Sequence, residues 1–487
     1  MNDNSLAAQA ASQVLVEPRA KSRAILNWRG CVALIWLCLS IRLIHAGSSL
    51  PLTHAFTTEP LSLADAINIA LRQNPDILRA QKDLEAAQGV VVQTRAIAVP
   101  KLQATGSFSA VQSTDIDSPH LNIPNFNFSF GTEQSWASQI RLVQSLYEGG
   151  RILSSLRVAR LTKERSLLVY QTAVADTVLA VQLAYYDVLL DAREIIVEEE
   201  SVELLSRELA DTKRRYDAGT VPQFNVLRAQ VELANQQPKL IRAKNNYRIA
   251  KNTLANILGF NIPKNTIEDI PLNLSGKLEA EPYQVDLPHA IALALERRTE
   301  LASLRKDQAL RFEDVVSAKA GYLPTVQAYG GYDLHSSMFS SDLTYDIYGW
   351  IAGVQVSWDI FDGFRTKGKV MEAKAQYEKA GVELDDTMRR IELDVRTAYS
   401  KFIEAADVLE SQKKVVEQAE EALRLASARN DAGTGTQLDV LSARTALTDA
   451  QTTQIEALHD YSAARARLER SVGQNIPKNI SSQDSSP

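Results

Sequence analysis

The chain has 487 residues, 45% of them hydrophobic and 23% charged, which is the composition of folded protein with length for two or three domains. A net charge of −6 gives no electrostatic footprint for nucleic acid. Six scattered histidines, without a His-Glu-x-x-His, Gly-x-Ser-x-Gly or phosphate-loop pattern, argue against an enzyme and against a metal or cofactor.

Residues 31–41, CVALIWLCLSI, follow Arg19, Lys21, Arg23 and Arg29 and lead to the small residue Ala46. That order is the order of a secretory signal, so residues 1–46 are expected to be a signal peptide and 47–60 an N-terminal extension. An uncleaved anchor is the alternative, although this core is short for a span of about 20 residues. Cys31 and Cys38 both fall inside the segment, which leaves the mature chain without thiols. Leu37 precedes Cys38, and Gly30-Cys31 comes before the apolar core, so no N-terminal lipid anchor is expected.

A helix is expected over 62–98, stopped by Pro100. Strict alternation follows at 102–110, then a Ser-, Asp- and Pro-rich loop at 112–125, then a second alternating run at 135–147. Residues 151–216 contain no proline and read as one helix of about 100 Å. A turn written RYDAGT (215–220) leads into a helix over 222–259, and residues 260–284 form a linker. The same series then returns: helix 286–320, strands 325–335 and 345–361, long helix 365–430, turn RNDAGT (429–434), helix 436–473 and a polar tail at 474–487.

The return is also literal. LSLADAINIALRQNPDILRAQKDLE (61–85) is echoed by VDLPHAIALALERRTELASLRKDQA (285–309), VPKLQATGSF (99–108) by LPTVQAYGGY (323–332), LYEGGR (146–151) by IFDGFR (360–365), and LANILG (254–259) by LERSVG (468–473). Five matched segments in one order, the turn included, mean a tandem duplication of 61–259 and 285–473. In the second long helix, Ile391, Val395, Ala398, Phe402, Ala405, Leu409, Val416, Ala419, Leu423 and Ala426 step by fours and threes through Gln412, as a coiled-coil seam does. Two shorter helices laid end to end are about as long as one long helix, which points to a long helix beside a stacked pair. The strands leave from one end and the two glycine turns cap the other.

In the last alternating run, Tyr348, Trp350, Val354, Val356, Trp358 and Ile360 share one face, and Gly349, Gly353, Gln355 and Ser357 the other. An apolar face with aromatics towards its ends suits membrane strands of about ten residues; a soluble hairpin packed on a helix is the alternative. Four strands leave open edges, which lipid does not tolerate, so a barrel must close by adding protomers.

LSLADAINIALRQNPDI, LYEGGR, IFDGFR and the paired RYDAGT…NVLRAQ and RNDAGT…DVLSAR resemble the TolC-like outer-membrane efflux proteins over residues 61–473. The resemblance implies an α+β fold: a long antiparallel α-helical coiled-coil barrel in the periplasm, continued by a transmembrane β-barrel with four strands per protomer and twelve in a trimer. It implies an exit duct of a tripartite efflux system, a homotrimer in outer-membrane lipid working with a periplasmic adaptor (membrane fusion) protein and an inner-membrane pump. A type I protein-secretion duct is similar in sequence. A periplasmic coiled-coil scaffold without a pore is the alternative from another class.

The resemblance also assigns sites. The tips, Ala218-Gly219-Thr220 and Ala432-Gly433-Thr434, are expected to dock the adaptor; plain turn chemistry explains the glycines equally well. The family carries an Asp-Val-Leu-Asp pattern on the helix after the second turn. Asp439 matches the first acidic position and Ser442 stands at the second, so one anionic ring of a periplasmic gate carries over and the other does not. Asn225 and Arg228 hold the equivalent places in the first copy, with Arg228 expected to pair with a carboxylate of a neighbouring helix. Asp439 also fits an ordinary carboxylate at a helix start.

Overall fold

The computed structural model describes residues 60–112, 132–261, 270–337 and 343–474; the expected signal peptide, most of the 112–125 loop and nearly all of the tail lie outside the described residues. In chain order the elements are α1 (Leu63–Gln73), α2 (Pro75–Arg95), β1 (Lys101–Ala110), β2 (Gln134–Glu148), α3 (Arg151–Asp217), α4 (Gln223–Leu258), α5 (Leu287–Arg297), α6 (Thr299–Lys319), β3 (Thr325–Ser336), β4 (Asp346–Ser357), α7 (Arg365–Asp431) and α8 (Gln437–Val472). The two long helices have 67 residues each, about 100 Å at the α-helical rise.

The single helix expected over 62–98 is two helices. Pro75 has no N–H to give the preceding turn and crowds the residue before it out of the α region, so Asn74 turns away at φ −59 and ψ 129. Asn74 then caps α2, accepting from the N–H groups of Asp76 (2.7 Å) and Ile77 (3.2 Å), and donates to the Ile257 carbonyl (2.7 Å). That last bond joins the start of α2 to the end of α4, so the pair stacks end to end along α3. The helix expected over 286–320 breaks likewise, without proline. Arg298 (φ −65, ψ 120) points its guanidinium at Glu300 (3.0 Å) and Asp394 (3.3 Å). Pro238 sits inside α4, a position the sequence reading passed over.

The two copies pack equivalent cores. From Arg151 and Arg365 onward they run in register with a constant shift of 214 residues, Gln223 matching Gln437. Val181, Val188, Leu254 and Leu258 are buried in one cluster; their counterparts Val395, Phe402, Leu468 and Val472 are buried in the other. The expected seam is in place, with Ile391, Val395, Phe402, Ala405, Leu409 and Val416 buried. One stretch of α3 is apolar enough to span a bilayer by composition, and Val174, Val178, Val181 and Val188 of that helix supply core instead. In the described part of the linker, the Leu61 N–H donates to the Asn273 carbonyl (2.8 Å), the Leu61 carbonyl accepts from the Ser275 N–H (3.0 Å), and Ile270 and Leu272 are buried, so this segment belongs to the first core.

The strands form one antiparallel sheet in the order β1-β2-β3-β4, with β1 and β4 as open edges. The register aligns Ala104, Ile140, Tyr332 and Trp350 across one face and Leu102, Leu142, Gly330 and Ala352 beside them; Phe108 faces Trp136. The opposite face carries Gln103, Arg141 and Gly331, and next to them Thr105, Gln139, Asp333 and Gly349. One face is therefore apolar and aromatic, the other polar or small, which is the pattern of a wall between lipid and water. The strand expected over 345–361 ends at Ser357. Beyond it, Asp362 accepts from the N–H of Thr366 (2.8 Å) in the first turn of α7.

Candidate gate and docking tips

Each tip ends its long helix in the same way. Gly219 (φ 73) donates to the Tyr216 carbonyl (2.8 Å) and Thr220 to that of Arg215 (2.9 Å); Gly433 (φ 72) donates to Asn430 (3.0 Å) and Thr434 to Arg429 (3.0 Å). These are the paired bonds of a Schellman cap, which needs a left-handed residue at this position. The Thr220 and Thr434 hydroxyls also donate to the Arg215 and Arg429 carbonyls. A Cβ added at either glycine would meet nothing within 4 Å, so backbone conformation, not crowding, selects glycine. Ala218, Thr220, Ala432 and Thr434 are exposed, giving two small, open tips.

The helices that follow start differently. No side chain caps α4, whereas α8 opens with a capping box. The Asp439 carboxylate accepts from the Thr436 N–H (3.0 Å) and hydroxyl (2.8 Å), and the Asp439 N–H donates back to that hydroxyl (3.2 Å). Those two bonds hold its carboxyl below the usual range. Asp439 and Ser442 are both exposed, one turn apart on α8. Asn225 and Arg228 lie on α4, in a cleft also lined by Leu205, Glu208, Gln437, Val440 and Arg444.

The sequence reading missed the groups that join the two hairpins here. Gln437 donates to Glu208 (3.0 Å) and to the Thr212 hydroxyl (2.7 Å), and the Arg444 guanidinium lies 3.8 Å from Glu208. Within the chain, Arg444 is the cation at ion-pair distance from Glu208, and Arg228 lines the same cleft. Burial pushes the Arg444 guanidinium down, with Glu208 acting against it, and its Nε has no partner. The copies themselves held a signal: Ala422, Ala426 and Gln230 are the counterparts of Glu208, Thr212 and Arg444, so this carboxylate, hydroxyl and guanidinium each occur in one copy only, on facing helices.

The α3–α8 contact stays polar above this cross-link. His459 meets Asp187 (2.8 Å) and Asp460 (3.2 Å); burial opposes its charge, and these two carboxylates outweigh burial and raise it. Asp191 is pushed up to about 6 by burial and then by Glu194 and Asp187, and Glu194 and Glu198 rise by burial too. Higher still, the buried Arg470 binds Asp176 and Glu300, both at 2.6 Å. Burial would raise Glu300, but Arg298 and Arg470 hold it down to about 2.

A family model described as outer membrane efflux protein matches residues 66–260 and 290–474. The chain is 24% identical over 421 residues to outer membrane protein TolC of Vibrio cholerae serotype O1, covering 85% of this chain and 90% of that protein. Alkaline protease secretion protein AprF of Pseudomonas aeruginosa is 24% identical over 418 residues, covering 84% and 83%. The crystal structure of the Campylobacter jejuni CmeC outer membrane channel aligns with a TM-score of 0.72 at 17% identity, covering 85% of this chain and 86% of that one.

Proposed function

This chain belongs to the outer membrane efflux protein family, and from that premise we propose that it is the exit duct of a tripartite efflux system, a homotrimer handing substrate from periplasm to exterior. Residues 1–46 direct export and are removed. Three four-stranded sheets close a twelve-stranded barrel in outer-membrane lipid, since β1 and β4 cannot keep bare edges there. The helices continue the duct into the periplasm, where the tips receive a periplasmic adaptor that links the duct to an inner-membrane pump.

One observation carries the assembly. On α8, Gln437, Leu441, Arg444, Thr448, Ile455 and His459 are all covered, in the seam with α3; the matching residues of α4, Gln223, Leu227, Gln230, Ala234, Ile241 and Asn245, are all exposed. On the receiving side, Ser201, Leu205 and Thr212 of α3 are buried, while Val415 and Ala422 of α7 are exposed and Ala419 and Ala426 half-buried. A bare α4 stripe and a bare α7 stripe complete each other head to tail, and such a contact repeats until the ring closes. The Gln437–Glu208 contact then has its counterpart between Gln223 of one chain and Ala422 of the next. With cysteines at Gln223 and Ala422, oxidation should give covalent dimers and trimers and nothing larger. No ladder, or one that runs past three chains, overturns the trimer.

In the closed duct, Asp439 of three chains forms an anionic constriction, with Ser442, Asn225 and Arg228 beside it and the Glu208–Arg444 cross-link keeping the hairpins together. Asp439→Ala should reduce cation selectivity and block by trivalent cations from the periplasmic side in single-channel recordings. Unchanged selectivity and block would leave Asp439 as a helix cap alone. The 24% identity to an alkaline protease secretion protein favours, as a second reading, a type I secretion duct. Deletion followed by comparison of drug sensitivity with secreted protein separates the two cargoes.

A further inference from the structure

The polar side of the sheet carries few charges. On the four strands they are Lys101, Arg141, Asp333 and, at the helical end, a covered Glu148 that pairs with Arg151 (3.7 Å). The Arg141 guanidinium lies 4.0 Å from the centre of the Tyr329 ring. That ring in turn lies across Gly353, where an added Cβ would come within 2.7 Å of the tyrosine hydroxyl and 2.9 Å of Cζ. Register builds the stack: Tyr329 pairs with Gly353 on one side and Val143 on the other, and Val143 pairs with Lys101. The Arg141 head group and Lys101 therefore share one cross-strand row.

We infer that Arg141 and Lys101 form an anion-binding station on the inner wall of the barrel, which takes the carboxylates of organic anions on their way out. This rests on the duct reading, which turns the polar sheet face to water. Stacking on an aromatic ring engages the flat face of a guanidinium and leaves the N–H donors of its edge free, and that edge grips a carboxylate with two bonds. The donors of Arg141 are unused: among the described residues it makes no hydrogen bond and no ion pair, and its Nε is covered without an acceptor. A carboxylate was within reach of the register, because Asp333 pairs with Gln139 and so stands diagonal to Arg141 on the next strand. The guanidinium turns from it to the ring. Lys101 is exposed and has no ion pair among the described residues.

The two copies show that the stack is not a requirement of the sheet. The counterparts of Lys101, Tyr329 and Arg141 are Thr325, Thr105 and Gln355, all uncharged, on the same backbone plan. A closed trimer therefore carries three stations, one on each chain and none across the seams between chains. Within a station two cations stand in the Tyr329 row, and Asp333 lies four residues further along β3, so the local charge is positive. Asp439 acts at the opposite end of the duct, on the closed entrance, and does not set what the barrel wall holds.

The test is block of single-channel current by citrate added on the extracellular side, in buffer free of divalent cations. Only conducting channels are compared, so every variant that is read has folded and assembled. Citrate should block the unaltered protein. Arg141→Gln and Lys101→Thr, each the residue of the other copy, should both weaken the block, and the two together should weaken it about tenfold. Arg141→Lys keeps the charge without the fork or the stack and should weaken it several-fold. No block of the unaltered protein, or equal block in the double variant, overturns the station; equal block in Arg141→Lys overturns the part given to the guanidinium edge. Conductance itself tests the duct: a protein that passes no current loses the duct reading and the station with it, whereas current that citrate leaves untouched removes the station alone.

Discussion

The α3–α8 seam inside the chain and the exposed α4 and α7 faces that match it are built on the same backbone plan and carry different chemistry. Between α3 and α8, polar partners recur along the contact: Glu208 and Thr212 with Gln437, Asp187 with His459, Asp176 with Arg470. At the matching positions of α7 and α4 stand Ala422, Ala426 and Gln223, then Lys401 and Asn245, then Arg390 and Asn256. The first seam is specified by charge, and charges in a half-buried contact work only when all partners are present. The second pair of faces sets small residues, Ala422 and Ala426, and unpaired-charge positions, Lys401 and Arg390, against the uncharged Gln223, Asn245 and Asn256. Duplication supplied one backbone plan, and the charged partners of the α3–α8 seam stand in one copy only.

The largest expected difference between the copies comes from taking a partner out of the polar seam. Arg470→Ala removes the cation shared by Asp176, which is largely exposed, and Glu300, which keeps Arg298, and should cost about 1–3 kcal/mol in denaturant melts. Asn256→Ala, its counterpart, should stay within about 0.5 kcal/mol. Equal losses would mean that the seams do not differ in the way described. The cores should not differ at all: Leu254→Ala and Leu468→Ala, both at 0% exposure, should each cost about 2–5 kcal/mol and agree with one another.

At the tips the comparison is between conformation and surface. Gly219→Val or Gly433→Val should cost about 1–2 kcal/mol, because a branched residue resists left-handed backbone. Asn tolerates that backbone, so Gly219→Asn and Gly433→Asn should keep the fold and add a side chain where the open tip had none. Loss of transport in the Asn variants with unchanged melting assigns the tips to docking, and normal transport confines the glycines to turn chemistry. Arg444→Gln gives the second copy the residue of the first, Gln230, and should cost about 1 kcal/mol. Its larger effect should be on conductance, raised in single-channel records as the hairpins separate.

Acidity should produce the smallest change, in a direction set by the seam. His459 is raised above its ordinary value, so its contribution is complete below about 6.5 and fades as pH rises through the folded value. Asp191, raised to about 6, binds its proton more tightly when folded, so stability falls as pH rises from about 4 to 6. Glu300, lowered to about 2, works in the opposite sense, contributing above its ordinary value near 4.5 and losing that contribution as pH falls towards 2. Melting temperature should therefore be highest in mild acid, and His459→Gln should flatten the limb above pH 6.5. A curve unchanged by that substitution would take His459 out of the seam's pH response.

The sequence by itself determined the repeat, the strands and the tips, because each is a local rule written in adjacent residues. Alternation decides which side of a strand is apolar, glycine after a helical run decides where the chain reverses, and a seam stepping by fours and threes decides which helix face is buried. The break at Asn74 was legible too, in the proline that follows it; the break at Arg298 was not, because ion pairs with Glu300 and Asp394 hold that residue out of the helix. Only the tertiary structure decided what faces the tips. Glu208 and Arg444 lie far apart in sequence and look like solvated charges until α3 and α8 are laid side by side. Asp439 could be read as a cap or as a gate, and the capping bonds to Thr436 became visible only with the backbone in place. Pairing between distant helices depends on three-dimensional register, which no local window of sequence contains.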